Sequence, residues 1–421
     1  MEPTGKITPQ SWMTAPETQA VFAALRAEGA DVRFVGGCVR DAILKRPVND
    51  VDIATPDPPG RVTELLESAG IRVIPTGIAH GTVTAMIGTA TFEITTLRLD
   101  LATDGRHARV AFTDSWLADA ARRDFTFNAL SCTPDGDIYD PFGGLADLGD
   151  GVVRFVGIPC ERIEEDYLRL LRFFRMYATY GQPPPDAEAL AACRRLAPTV
   201  AKLSGERVRD ELFRLLLAPN AADTAVLMHD THVLEHVVPP PTDIGRLRMM
   251  TWLESTAVRL DGVHPDPLRR LAALLAGGVG PAASLAQRLR LSRRGAARLA
   301  GLVQPAFELT PEAGHWALHR AVYHAGADAA RDWVLMAWAG ELAVAPRRGG
   351  GRSAAWIALL ETAGGWPAPT FPLGGDDVAA LGIPRGPRVG DLLKAVEAWW
   401  EAGDFSADRE ACLARLREVA V

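Results

Sequence analysis

The stretch FVGGCVRDAILKRPVNDVDIATPD, residues 34–57, sets a glycine pair ahead of an Arg-Asp pair and then two carboxylates, Asp50 and Asp52, one residue apart. The segment VRFVGG reads as a short buried strand ending at a glycine turn, CVRDAILK as a helix start, and DVDIAT, alternating and β-branched, as a second strand. Residues i and i+2 of a strand point to one face, so Asp50 and Asp52 are expected side by side. Two ionised carboxylates that close repel unless a cation lies between them, and Mg²⁺ is suited to carboxylate and phosphate oxygens. Gly36 and Gly37 let backbone approach phosphates closely, and Arg40, one helical turn on, adds a positive charge. The stretch therefore reads as a site for a metal–triphosphate complex. A solvated strand end would explain the two aspartates alone, but not the glycine turn and Arg-Asp ahead of them.

Outward from this stretch, residues 1–150 mix helix and strand signals. GRVTELLESAG reads as a helix closed by Gly70, and GTVTAMIGTATFEITTLR as a hairpin turning near Gly88. From about Glu161 onward Leu, Ala and Arg recur at helical spacing and strand signals fade. EEDYLRLLRFFRMYATYG reads as one helix running to Gly181, PPP at 183–185 and 239–241 as punctuation, and RRGGGRS at 347–353 as a loop. The expectation is an α/β head followed by a long all-α region.

The 421 residues imply more than one domain. The chain lacks an apolar run long enough for a membrane span. The opening MEPTGKITPQSW has no apolar signal core, and the five cysteines form no C-x-x-C pair, so a cytoplasmic protein without a disulfide framework or cysteine-held zinc is expected. The net charge of −7 does not suggest a nucleic-acid binder, but phosphates respond to local patches and not to the total.

The motifs fall in a familiar order. GGCVRD (36–41) followed by NDVDIAT (49–55) resembles the head signature of class II tRNA nucleotidyltransferases, the bacterial CCA-adding enzymes and poly(A) polymerases, within the polymerase-β-like superfamily. RRDFTFNALS (122–131) resembles their ribose- and phosphate-contacting motif, and DPFGGLADL (140–148) the hinge between head and neck. EEDYLRLLRFFR (164–175) resembles the nucleotide-recognition helix, and LSGERVRDELFRLL (203–216) the helix closing the neck. The resemblance covers residues 30–216, about half the chain. It implies a nucleotidyltransferase head over 1–150, a helical neck over 151–216, and a helical, tRNA-binding body and tail over 217–421. It also implies addition of C, C and A to the tRNA 3′ end from CTP and ATP with Mg²⁺ ions held by Asp50 and Asp52. Poly(A) polymerases and split CC-adding or A-adding enzymes share these motifs and are the alternatives. A monomer and a homodimer are both compatible with them.

Chemistry supports the selecting role. On one helix face Asp166 would present an acceptor and Arg169 a donor. Cytosine and adenine each carry an amino donor beside a ring-nitrogen acceptor, whereas uracil and guanine carry a carbonyl beside an N–H. Asp166 and Arg169 therefore match C and A, and the wrong base leaves polar groups unpaired. Arg172 and Arg175 continue the spacing and, by resemblance, line the nucleotide pocket beside Gly37 and Arg40. Arg123 is placed to reach the triphosphate, Asp124 to accept from the ribose 2′-OH, and Asn128 to buttress the site; Phe125 and Phe127 read as core. Glu93 reads first as an exposed strand position, with a third carboxylate as the alternative. Residues 100–111, DLATDGRHARVA, read as a polar loop of the kind that helps this family switch from C to A addition. The basic stretch QRLRLSRRGAARLAG (287–301), with Arg288, Arg290, Arg293, Arg294 and Arg298, reads either as an RNA-backbone contact or as a solvated helix end. His229-Asp230 is read as part of a packed helix rather than as a metal site.

Overall fold

The structure, a computed structural model, describes residues 1–103, 108–345 and 350–420. It divides into two compact units, Met1–Val237 and Val238–Val421.

Among the described residues the first unit is built on ten strands: β1 (Gly5–Lys6), β2 (Arg33–Val35), β3 (Val51–Thr55), β4 (Arg72–Gly77), β5 (Thr82–Ile87), β6 (Ala90–Thr96), β7 (Arg98–Thr103), β8 (Ala108–Phe112), β9 (Ser131–Cys132) and β10 (Asp137–Tyr139). Eight form one mixed sheet in the order β1-β10-β9-β2-β3-β6-β5-β4, and β7 pairs with β8 alone. The strands expected around the glycine turn are present as β2 and β3, and the hairpin turning at Gly88 is β5–β6. Its partner in the sheet was not legible: β6 pairs parallel with β3, placing Asp52 opposite Glu93.

Two expectations are corrected here. Within residues 100–111, read as a polar loop, 100–103 and 108–111 instead belong to the β7–β8 ladder, with Asp100 paired to Val110; residues 104–107 of that reading lie outside the described residues. Residues 350–353 open the helix Gly350–Gly365 instead of a loop, and 347–349 lie outside the described residues.

The core of this unit is aromatic. Phe34 packs on Phe22 and Trp12 with centroids 4.5 and 4.8 Å away. Phe125 and Phe127 are fully buried, as expected of core residues. Phe125 stacks on Phe155, and Phe155 on Phe173 of the helix Leu168–Tyr180, which ties the RRDF segment to that helix. The turn at 140–148 is held by the Asp140 carboxylate, which accepts from the amides of Gly144 (2.7 Å) and Leu145 (2.9 Å). A Cβ on Gly144 would lie 2.3 Å from the Thr126 carbonyl oxygen, so only glycine fits that approach.

The second unit is helical, its strand-like pairing among the described residues reduced to one bridge, Thr242 to Leu275. Trp400, Val396, Val378, Cys412 and Leu416 form one of its cores, while Trp399 is part-exposed. A buried ion network runs through another part: Glu254 accepts from Arg269 and Arg270 at 2.6 Å, and Asp332 from Arg269 at 2.7 Å. Arg298 of the basic stretch belongs to this network, paired with Asp266 (2.8 Å) and Asp332 (2.9 Å), so it braces the fold. Among the described residues no helix is long and apolar enough to cross a membrane.

Candidate active site

An open cavity of about 630 Å³ in the first unit is lined by Gly36, Gly37, Arg40, Asp52, Glu93, Arg123, Asp124, Asp166, Arg169, Arg172 and Arg175, together with Arg98, Arg122, Arg207 and Arg214. Nine of its lining residues are arginines, an excess of positive charge suited to a polyanion such as a triphosphate.

At one end, Gly36 takes φ 70°, a left-handed conformation natural to glycine, and turns the chain from β2 into the helix Gly37–Ile43. A Cβ there would approach the Arg123 guanidinium to 3.2 Å. Asp52 faces this turn from β3. Burial pushes its pKa up to about 6, and the neighbouring charges of Glu93 and Asp50 add to that, while Arg123 opposes it. Glu93 is an exposed strand residue, as first read, and the parallel register also sets it opposite Asp52 at the cavity. Asp50 departs from expectation. Pairing in β3 begins at Val51, so Asp50 sits just before the strand, exposed and outside the cavity lining, although its charge is felt at Asp52.

The donor set fits a divalent cation in one specific sense. Asp52, whose acid is raised to about 6 first by burial and then by repulsion from Glu93 and Asp50, lies among like charges, a condition that a bound cation relieves. Among the described residues no three acidic, histidine or cysteine side chains enclose an ion by themselves, so oxygens of the substrate would complete its coordination.

The middle of the cavity is a lattice of ion pairs. Arg123 donates to Asp119 (3.0 Å), which also receives Arg122 (2.7 Å); burial raises the Asp119 acid, and the two guanidinium groups outweigh it and hold it below its ordinary value. Asn128 links two predicted site residues: its amide nitrogen donates to Asp124 (3.0 Å), and its oxygen accepts from Arg40 (2.7 Å). Arg40 is buried and further engaged with Asp41, and lies 4.3 Å from the Tyr180 ring, so its charge reaches the cavity from a fixed position. Asp124 is buried and held below its ordinary pKa; burial acts upward, and Arg172 at 2.5–2.7 Å overcomes it.

At the far end the expected continuous helix is broken. One helix ends at Glu165, Asp166 is extended (φ −150°, ψ 106°), and the next helix starts at Leu168. The break has a local cause. Asp166 Oδ1 accepts from the Leu168 amide (3.1 Å), so the side chain takes a backbone donor that helix continuation would use. Asp166 and Arg169 do not share one helix face; a turn and its side-chain partners hold them. Arg169 donates to Glu165 (2.6 Å) and to the carbonyls of Arg162 (3.1 Å) and Arg122 (3.0 Å), which uses three of its five N–H groups. Arg175 pairs with Glu211 at 2.6 Å. Arg207, Glu211 and Arg214 were missed in the sequence. Their i, i+4, i+7 spacing in the helix Gly205–Leu217 is the signal that they share a face.

A mixed sheet presenting paired carboxylates at a glycine turn, beside an arginine-rich cavity of nucleotide size, defines a nucleotidyltransferase. Residues 32–154 match the family model described as poly A polymerase head domain, and residues 185–243 the one described as probable RNA and SrmB-binding site of polymerase A. The mitochondrial CCA tRNA nucleotidyltransferase 1 of Mus musculus is 32% identical over 97% of this chain and 93% of its own length. A CCA-adding enzyme of Streptococcus gordonii is 40% identical over 48% of this chain and 50% of its own. The crystal structure of Bacillus stearothermophilus CCA-adding enzyme in complex with CTP superposes with a TM-score of 0.77 at 27% identity, over 97% of this chain and 98% of that one. The chain belongs to the CCA tRNA nucleotidyltransferase family.

Proposed function

We propose that this protein adds C, C and A to the 3′ end of tRNA from CTP and ATP without a nucleic-acid template. The observation that carries the reading is the single cavity that gathers Asp52 and Glu93 at one end and Asp166 and Arg169 at the other, with arginines between. In this reading the tRNA 3′-OH attacks the α-phosphate of the bound nucleotide and pyrophosphate leaves. Mg²⁺ at Asp50 and Asp52 would neutralise developing charge on the triphosphate and ease ionisation of the 3′-OH. The chain's own groups do the rest by positioning. Gly37 and Arg40 border the phosphate end, Arg123, Arg172 and Arg175 bind phosphate oxygens, and Asp124 accepts from the ribose 2′-OH. Asp166 and Arg169 read the pairing edge of the base.

The head over residues 1–150 supplies the reacting end, and the neck over 151–216 the selecting end. RNA holding is assigned to the helical region from 217 onward. The five cysteines are unpaired, which supports a reducing compartment, and we place the enzyme in the cytoplasm. The test is incubation with tRNA ending before CCA, with CTP alone, ATP alone, and both. Two additions with CTP and a third only when ATP is present are expected. Long A tracts would identify a poly(A) polymerase, and a stop after two additions with both nucleotides a CC-adding enzyme.

A further inference from the structure

We infer that Arg207 is a specificity-determining positioning residue, the group that aims the Asp166 carboxylate at the base. The inference rests on the base-reading role proposed above for Asp166 and Arg169. It starts from the helix break. A residue inside a helix has its side-chain direction largely set by the backbone, but Asp166 is extended between two helices and lacks that constraint. Its direction must come from bonding partners. Two hold it: the Leu168 amide on Oδ1 (3.1 Å), and Arg207, whose Nη2 donates to Oδ1 at 3.0 Å and Oδ2 at 2.7 Å. The amide fixes one oxygen, and Arg207 fixes the plane of the carboxylate by gripping both.

A carboxylate offers about four acceptor positions, so these bonds leave room for the amino group of cytosine or adenine. Arg207 and Asp166 both line the cavity, and both side chains are part-exposed, so the pair stands where a base can reach it. Arg207 is itself firmly carried. Its helix, Gly205–Leu217, buries Val208, Leu212, Leu215 and Leu216, and one turn on Glu211 pairs with Arg175 at 2.6 Å, pinning this helix to the helix Leu168–Tyr180 that bears Arg169. The acceptor and the donor that read the base are thus kept in register through a second helix, not through the one they were expected to share. Selection depends on angle more than binding does: a rotated carboxylate still accepts a hydrogen bond, but no longer places a carbonyl of uracil or guanine against itself.

The test uses full-length enzyme and tRNA ending before CCA. In Arg207→Met the ratio of kcat/KM for CTP to that for UTP should fall about tenfold or more. Arg207→Lys, which keeps the charge but replaces the planar guanidinium with a freely rotating ammonium that does not fix the carboxylate's direction, should give an intermediate ratio and decides the matter should the Met variant fail to fold. A CTP-to-UTP ratio equal to wild type in the folded variant overturns the inference, as does an equal loss with all four nucleotides. Wild-type enzyme that does not prefer CTP and ATP would instead overturn the proposed function, so the two failures are distinguishable.

Discussion

The two ends of the cavity are built by different means. Asp52 and Glu93 are set opposite each other by backbone register, with five consecutive residue pairs between β3 and β6 holding them. Asp166 and Arg169 are set by side chains: a helix break, an amide, and ion pairs to Arg207 and Glu165. A strand ladder cannot tilt one carboxylate without disturbing the sheet, whereas a network of ion pairs can change geometry through a rotamer. The difference suits the two tasks. In the function proposed above, the reacting end performs one chemistry on every nucleotide, and the selecting end must accept two different bases and refuse two others. Specificity should therefore be separable from chemistry by mutation, and three experiments probe that separation.

The largest effect is expected at the register-built end. Asp52→Asn should lower nucleotide addition by on the order of 10³-fold or more with CTP and ATP alike, since charge neutralisation at the triphosphate is lost for both. Product formation in single turnover measures it, and a selective loss for one nucleotide would join the two ends that this account separates. Asp124→Ala comes next. It should lower the preference for CTP over dCTP about tenfold, and also lower the melting temperature, because Arg172 loses the carboxylate that neutralises it. A falling melting temperature with an unchanged CTP-to-dCTP ratio would make Asp124 purely structural.

The smallest effect concerns pH. The folded Asp52 acid is raised from 3.8 to about 6, so the protonated form is favoured by the fold and the contribution of Asp52 to wild-type stability declines as pH rises from about 4 to 6. Asp52→Asn has no such decline. Without metal, the variant should gain stability relative to wild type across that window, by about 1–3 kcal/mol at pH 7 and none below pH 4. Denaturant titrations at pH 4 and pH 7 check it, and added Mg²⁺ should narrow the gap by stabilising only the wild type.

The same contrast explains what could be read from the chain alone. Gly36, Gly37 and Asp52 lie within one short segment, and a glycine turn followed by a period-two strand is local information. Asp124 and Phe125 were likewise placed by a contiguous motif. The placing of Glu93 opposite Asp52 was not legible, because it depends on which strand β6 pairs with, and alternation within a strand does not name its neighbour. Asp166 was put on a continuous helix because the apolar spacing through Leu168 and Leu171 masks a break made by its own side chain. Arg207, Glu211 and Arg214 carried a helical period, but an ordinary solvated face has the same one; only packing shows that Arg207 and Arg214 line the cavity while Glu211 between them is buried against Arg175. Residues 98–103 and 108–112 form a ladder despite the polar reading of 100–111, since pairing between β7 and β8 supplies backbone hydrogen bonds whatever the side chains.

The central claim is that protein side chains, and no template, choose the base. Its most direct measurement is nucleotide preference in the double variant Asp166→Arg with Arg169→Asp, which exchanges donor and acceptor. The ratio of UTP plus GTP use to CTP plus ATP use should rise about tenfold or more per exchanged hydrogen bond, even as total activity falls because the supporting contacts of Arg207 and Glu165 no longer match. A double variant that stays active and prefers CTP and ATP as strongly as wild type would show that the base is read elsewhere.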